Sequence, residues 1–129
     1  MLIISILLPV SGCTLTQTNS TTKLDYIGVR NHADTEVTYS VEITSDNSTI
    51  QRTINVNGSD PDRYDSTTEY SDLENISGRK FTITVQNSYE TKTMTFSQDG
   101  TYYIVIRGNR YFEMAIFDRT SDDQVASAD

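Results

Sequence analysis

Apolar residues recur at every second position along most of this chain. Over 36–44, Val37, Tyr39, Val41 and Ile43 alternate with Thr38, Ser40, Glu42 and Thr44, the period of a strand with one buried and one wet face. The same period runs through 50–56 (Ile50, Ile54, Val56), 80–86 (Phe81, Ile83, Val85), 91–97 (Met94, Phe96) and 111–118 (Phe112, Met114, Ile116). Over 101–107 both parities are apolar, Tyr102, Ile104 and Ile106 against Tyr103 and Val105, which predicts a strand in the middle of a sheet. A further strand is expected at 24–30, with Ile27 and Val29 on one face. Arg52 shares the parity of Ile50 and Ile54, which puts its strand at an edge or on a partly covered face. Polar clusters at 31–34, 45–48, 87–90 and Asp99-Gly100 supply turns, and Gly108-Asn109 is expected to form a two-residue hairpin loop. Two stretches lack the period. Residues 57–78 read as a long polar connection anchored by Leu73 and Ile76, with at most a short strand near 67–70, and 119–129 read as a disordered acidic tail. The expectation is an all-β sandwich of about seven strands over 24–118.

Asp99-Gly100-Thr101-Tyr102-Tyr103-Ile104 resembles the Asp-x-Gly-x-Tyr run before the penultimate strand of immunoglobulin-like domains. The resemblance implies an immunoglobulin-like antiparallel sandwich in which a tyrosine hydroxyl returns to the backbone at the corner. The glycine stands one residue early, and Ile104 occupies the place where antibody domains carry cysteine. The likeness is therefore to disulfide-free relatives.

Ahead of the alternating region, residues 2–10 form an apolar run that ends in small residues. Nine residues are too short for a hydrocarbon layer that takes about 20 helical residues, and suit a signal-peptide core. Val10-Ser11-Gly12-Cys13 resembles the lipobox of bacterial and archaeal lipoproteins, with Val10 where leucine is commoner and no basic residue before Lys23. The resemblance implies cleavage after 1–12, a lipid on the sulfur of Cys13, and a membrane anchor on the extracytoplasmic face. The chain holds a single cysteine, so an intrachain disulfide is excluded. Residues 13–23, rich in threonine and aperiodic, then read as a flexible tether.

Composition narrows the partners. The net charge is −8, with 18 acidic residues against 10 basic ones, a balance that repels nucleic acid. High aspartate and threonine with few lysines resembles proteins of salt-loving archaea, and the lipobox with the sandwich resembles haloarchaeal cell-surface lipoproteins. Sequons at Asn19, Asn47, Asn57 and Asn75 stand in the tether and expected loops, where glycosylation could reach them.

Candidate chemistry is sparse. His32 is the only histidine and lies in a turn; no Gly-x-Ser-x-Gly elbow, phosphate loop or metal-ligand spacing is present. Asp60, Asp62 and Asp65 cluster in the polar connection as a weak calcium candidate. Arg107 and Arg110 flank the last hairpin and Arg79-Lys80 precede the segment at 80–86, two local basic spots for an anionic group. The expectation is a non-catalytic binding or structural module of the envelope, with no cofactor and with another surface protein or a glycan as partner. The alternative is an inhibitor or regulator of an exported protease or other enzyme.

Overall fold

The computed structural model describes residues 21–46, 48–60 and 66–128. Among them are nine strands: β1 (Thr22–Asn31), β2 (Val37–Thr44), β3 (Thr49–Val56), β4 (Thr67–Gly78), β5 (Phe81–Gln86), β6 (Thr91–Phe96), β7 (Gly100–Gly108), β8 (Phe112–Asp118) and β9 (Gln124–Ala128). They form two sheets, one of five strands in the order β4-β1-β7-β8-β9 and one of four in the order β3-β2-β5-β6. All pairings are antiparallel except β1 with β7. The all-β sandwich expected from the alternation is the fold, with nine strands in place of seven.

The inward residues of both sheets make one core. Tyr39, Ile43, Phe81, Ile83, Ile104, Ile106, Met114 and Ile116 are fully or almost fully buried, as are Leu24, Ile27 and Leu73. Two edge-to-face ring pairs bridge the sheets, Tyr39 with Phe112 at 5.2 Å and Phe96 with Tyr102 at 4.8 Å, a geometry that adds to the area they bury. β7 is central as expected, and β3, which carries Arg52, is an edge.

Four expectations change. The stretch 57–78 is no long loop: its second half is the 12-residue edge strand β4, which hydrogen-bonds to β1 along its length. Its apolar period is missing because an edge strand needs only a few inward anchors, here Leu73 and the half-buried Ile76, and Glu74 and Asn75 take left-handed backbone with φ of 56° and 55°, which breaks the parity. The tail is no disordered acidic segment either, since β9 pairs with β8 and leans Val125, Ala126 and Ala128 on the core. The expected tether over 13–23 ends earlier, because Thr22 and Lys23 already belong to β1. Finally, the loop between β7 and β8 spans three residues, Asn109 to Tyr111, with Gly108 at a φ of 140°, a backbone that suits glycine.

The loops at each end are tied by satisfied polar side chains. At one end Asn31, wholly buried, donates from Nδ2 to the carbonyls of Thr35 at 2.8 Å and Asn57 at 3.1 Å, and its Oδ1 accepts from Ala33 N and Asn109 Nδ2 at 3.0 Å each. Asn87 donates to the carbonyls of Asn109 and Arg110 and accepts from the backbone of Tyr89 and Glu90. At the other end Thr22 Oγ1 donates to Gln98 O at 2.6 Å and accepts from Gln98 N at 3.0 Å. Beside it the Tyr102 hydroxyl donates to the Asp99 carbonyl at 2.5 Å, the corner bond that the immunoglobulin-like resemblance implies. No buried side-chain nitrogen or oxygen among the described residues lacks a partner.

Removing Asn31 takes a partner from several part-buried loop groups, where a lost hydrogen bond costs roughly 1 kcal/mol each. Asn31→Ala should therefore lower the unfolding free energy by about 3 kcal/mol, measured by urea denaturation; a loss below about 0.5 kcal/mol, the range of surface substitutions, would refute the tie.

Candidate functional site

The two outer faces of the sandwich differ in kind. On the four-stranded sheet the outward residues are Thr38, Ser40, Glu42 and Thr44 on β2, Thr49, Gln51, Thr53 and Asn55 on β3, and Thr82, Thr84, Thr93 and Thr95 among those on β5 and β6. These pair across strands, as Thr84 with Thr93 at 3.2 Å and Gln51 with Glu42 at 3.1 Å. The hollow on this face, about 330 Å³ and lined by Ser40, Glu42, Gln51, Arg52, Thr84 and Gln86 among others, offers a ligand polar and charged groups and no aromatic ring.

On the five-stranded sheet the outward positions carry rings. Tyr70 of β4, Tyr26 of β1, Tyr103 of β7 and Phe117 of β8 form an unbroken row across four adjacent strands. Their centroids are 5.6 Å apart between Tyr70 and Tyr26, 4.8 Å between Tyr26 and Tyr103, and 5.5 Å between Tyr103 and Phe117, the last pair stacked at 15°. Tyr70 is 69% exposed, and the other three are half-buried by one another. Gly28, beneath Tyr70, leaves the space the ring lies over, since a Cβ there would meet the ring at 3.2 Å. The groove is about 290 Å³ and is lined by these rings together with Gly28, Val105, Arg30 and Arg107.

A bulge in β1 creates the row. Leu24 pairs with Tyr102 of β7 while Ile27 pairs with Ile104, so Asp25 and Tyr26 together oppose Tyr103. The inward parity thereby moves from Thr22 and Leu24 to Ile27, Val29 and Asn31, and Tyr26 is turned outward against Tyr103.

Charges fix the ring orientations. Arg119 Nε meets Asp25 Oδ2 at 2.8 Å and its guanidinium lies 5.8 Å from the centre of the Tyr26 ring. The Tyr103 hydroxyl donates to Asp122 Oδ1 at 2.8 Å. Burial first, and this bond to a carboxylate second, push the Tyr103 phenol up to about 12. Burial also raises the Tyr26 phenol, against the opposing pull of Arg119. At the far end of the groove Arg30 and Arg107 are cross-strand partners in the parallel ladder, and both are exposed.

The residues singled out from sequence fall elsewhere or apart. Cys13, Asn19, Asn47, Asp62 and Asp65 lie outside the described residues. Asp60 is exposed at the end of the segment after β3. Among the described residues no group of three or more His, Cys, Asp or Glu is placed to hold a metal ion. Asn57 is exposed just after β3, its carbonyl taken by Asn31. Asn75 is exposed but stands within β4, at the left-handed kink, where a loop was expected. The two basic spots dissolve: Arg107 faces the groove, Arg110 lies 5.4 Å from the Tyr89 ring centre, and Arg79 pairs with Asp46 at 3.3 Å. His32 is exposed in the loop after β1. Alternation alone does not single out the ring row, because Tyr26 precedes the parity shift and Tyr70 lies in the stretch read as a loop. The available signal was the excess of tyrosine, eight with no tryptophan, more than one small core absorbs.

A scan against models of known protein families finds no match for this chain, and a search of curated proteins finds none either.

Because the folded chain holds the Tyr103 proton to about pH 12 while an unfolded tyrosine releases it near pH 10, the native state binds more protons in between. Stability is complete below about pH 10 and falls as pH rises through that window. Tyr39, also pushed up to about 12 by burial, adds a slope of the same sign. Tyr103→Phe should therefore flatten, without abolishing, the fall in urea midpoint between pH 10 and 12; an unchanged slope would contradict the Tyr103 contribution.

Proposed function

We propose that this chain is an exported lipoprotein, anchored through Cys13 on the extracytoplasmic face of the cell membrane, whose sandwich is a non-catalytic binding module. The carrying observation is the row of Tyr70, Tyr26, Tyr103 and Phe117 across the outer face of four strands, with Tyr70 exposed and the other three half-buried. Rings on a sheet surface that could have been threonine, as on the opposite face, expose apolar area to water at a cost in solubility. Such a surface suits a partner that covers it. The anchor reading rests on the apolar run and Val10-Ser11-Gly12-Cys13; a lipid with two chains would hold the domain on the membrane nearly permanently. The face offers stacking rings with hydroxyls at their rims, which suits holding a partner.

The anchor and the face are tested separately. In cells that mature lipoproteins, the native chain should fractionate with membranes and Cys13→Ser should leave them; a Cys13→Ser chain that stays membrane-bound sinks the anchor. The full-length Cys13→Ser chain should cosediment with isolated envelopes of its own host. Tyr70→Ala added to it should abolish this while the chain still melts cooperatively. Cosedimentation that survives Tyr70→Ala would contradict the binding face.

A further inference from the structure

We propose that the groove on the five-stranded sheet binds an acidic polysaccharide, its sugar rings lying on the tyrosine and phenylalanine rings and its anionic group held between Arg30 and Arg107. This assignment rests on the binding-module reading and names the chemistry of its partner.

Two arginines as register partners are a cost to the free protein. Like charges on neighbouring strands repel, and neither Arg30 nor Arg107 forms an ion pair with a described residue, although Glu113 is the β8 partner of Arg107. A bound carboxylate or sulfate removes that cost by accepting from both guanidinium groups, whose planar forks match such oxygens. The pair stands out further in a chain of net charge −8.

The rings supply the second half of the recognition. A sugar presents a face of C–H bonds, weakly positive, to the electron-rich face of an aromatic ring, while its hydroxyls stay in water or bond to neighbours. Tyr70 and Tyr26 offer such faces next to hydroxyls of their own, and Thr68 lies on the groove wall. One groove therefore holds stacking surfaces, hydroxyl partners and a cationic end. An anionic bilayer is a poorer occupant. It would set a continuous sheet of negative charge against the whole acidic domain, whereas a glycan strand is one sugar wide and meets the domain only along the groove, and acids more than about 8–10 Å from it are screened.

The test uses the full-length Cys13→Ser chain, free of lipid, with tyrosine fluorescence and calorimetry as readouts. The probes are an oligouronate, a sulfated oligosaccharide, a neutral glucan of equal length, and vesicles of phosphatidylglycerol. At least one acidic oligosaccharide should bind about tenfold or more tighter than the neutral glucan, and the better of the two identifies carboxylate or sulfate as the anionic group. Arg30→Gln with Arg107→Gln should remove that preference while the melt is kept or improved. Gly28→Ala, whose added methyl displaces Tyr70 without changing charge, should weaken the acidic and neutral sugars alike. Equal binding of acidic and neutral sugars, a preference that survives the double arginine variant, or binding to the vesicles alone would overturn the proposal. If no oligosaccharide binds while Tyr70→Ala still abolishes envelope cosedimentation, the glycan assignment fails and the binding face stands.

Discussion

The bulge at Asp25 and Tyr26 is the constraint on which the five-stranded sheet depends. β1 is bonded on one side to β4 and on the other to β7, so any error in its parity would propagate into both neighbours. An unbroken strand would place Leu24 and Tyr26 on one face and Ile27 and Val29 on the other, exposing one pair or the other. The extra residue lets Leu24, Ile27 and Val29 all reach the core at no measurable exposure. Its consequence on the outside is Tyr26 turned toward Tyr103, with Asp25 free to hold Arg119 over the ring. β4 answers with its own irregularity at Glu74 and Asn75, opposite the same point of β1. Core packing and the outer aromatic row thus share one cause.

The polar ties at the two ends explain how a sandwich with a single cysteine in its whole chain holds its loops. Asn31, Asn87 and Asn109 gather the loops after β1, β5 and β7 into one bonded cluster, and Thr22 and Tyr102 do the same for the turn before β7. Asparagine can donate and accept at once, so one side chain can close a loop on itself and attach it to the next. A buried amide is stabilising only when nearly all its bonds are made, which is the state of Asn31. That requirement makes the end a cooperative unit.

The sequence was most legible where one face is buried and the other wet. β2 and β5 follow period two because their inward positions meet the opposite sheet and their outward ones carry polar residues toward water, while β7 is apolar at both parities because Tyr103 and Val105 line the groove. β4 was opaque because it is an edge strand with one wholly buried residue, Leu73, and a kink that resets its phase. β9 was opaque because small residues, Ala126 and Ala128, cover the core at the sheet's far edge and carry almost no hydropathy signal. The Arg30–Arg107 pairing could not be read at all: it arises from a parallel ladder between strands more than 70 residues apart. In sequence Arg107 stands near Arg110, whereas the fold sets it beside Arg30.

The contrast between the two outer faces bears on whether the rings are incidental. Both sheets were drawn from one composition, rich in threonine, and both cover the same core from opposite sides. On the four-stranded sheet every outward position of β2 and β3 is a short polar or charged residue, which shows that the fold itself asks for nothing larger there. On the five-stranded sheet the corresponding positions hold three tyrosines and a phenylalanine in contact, with a glycine beneath the most exposed of them. Ring–ring contacts contribute roughly 0.5–1.5 kcal/mol each beyond buried area, so the row supports its own sheet to a degree. Glycine in a strand interior weakens it, and at Gly28 it is what lets the Tyr70 ring lie against the sheet, since a Cβ would meet that ring at 3.2 Å. The strand glycine under the ring and the two arginines without an ion pair among the described residues are both departures from what stability prefers, and they occur in the same groove.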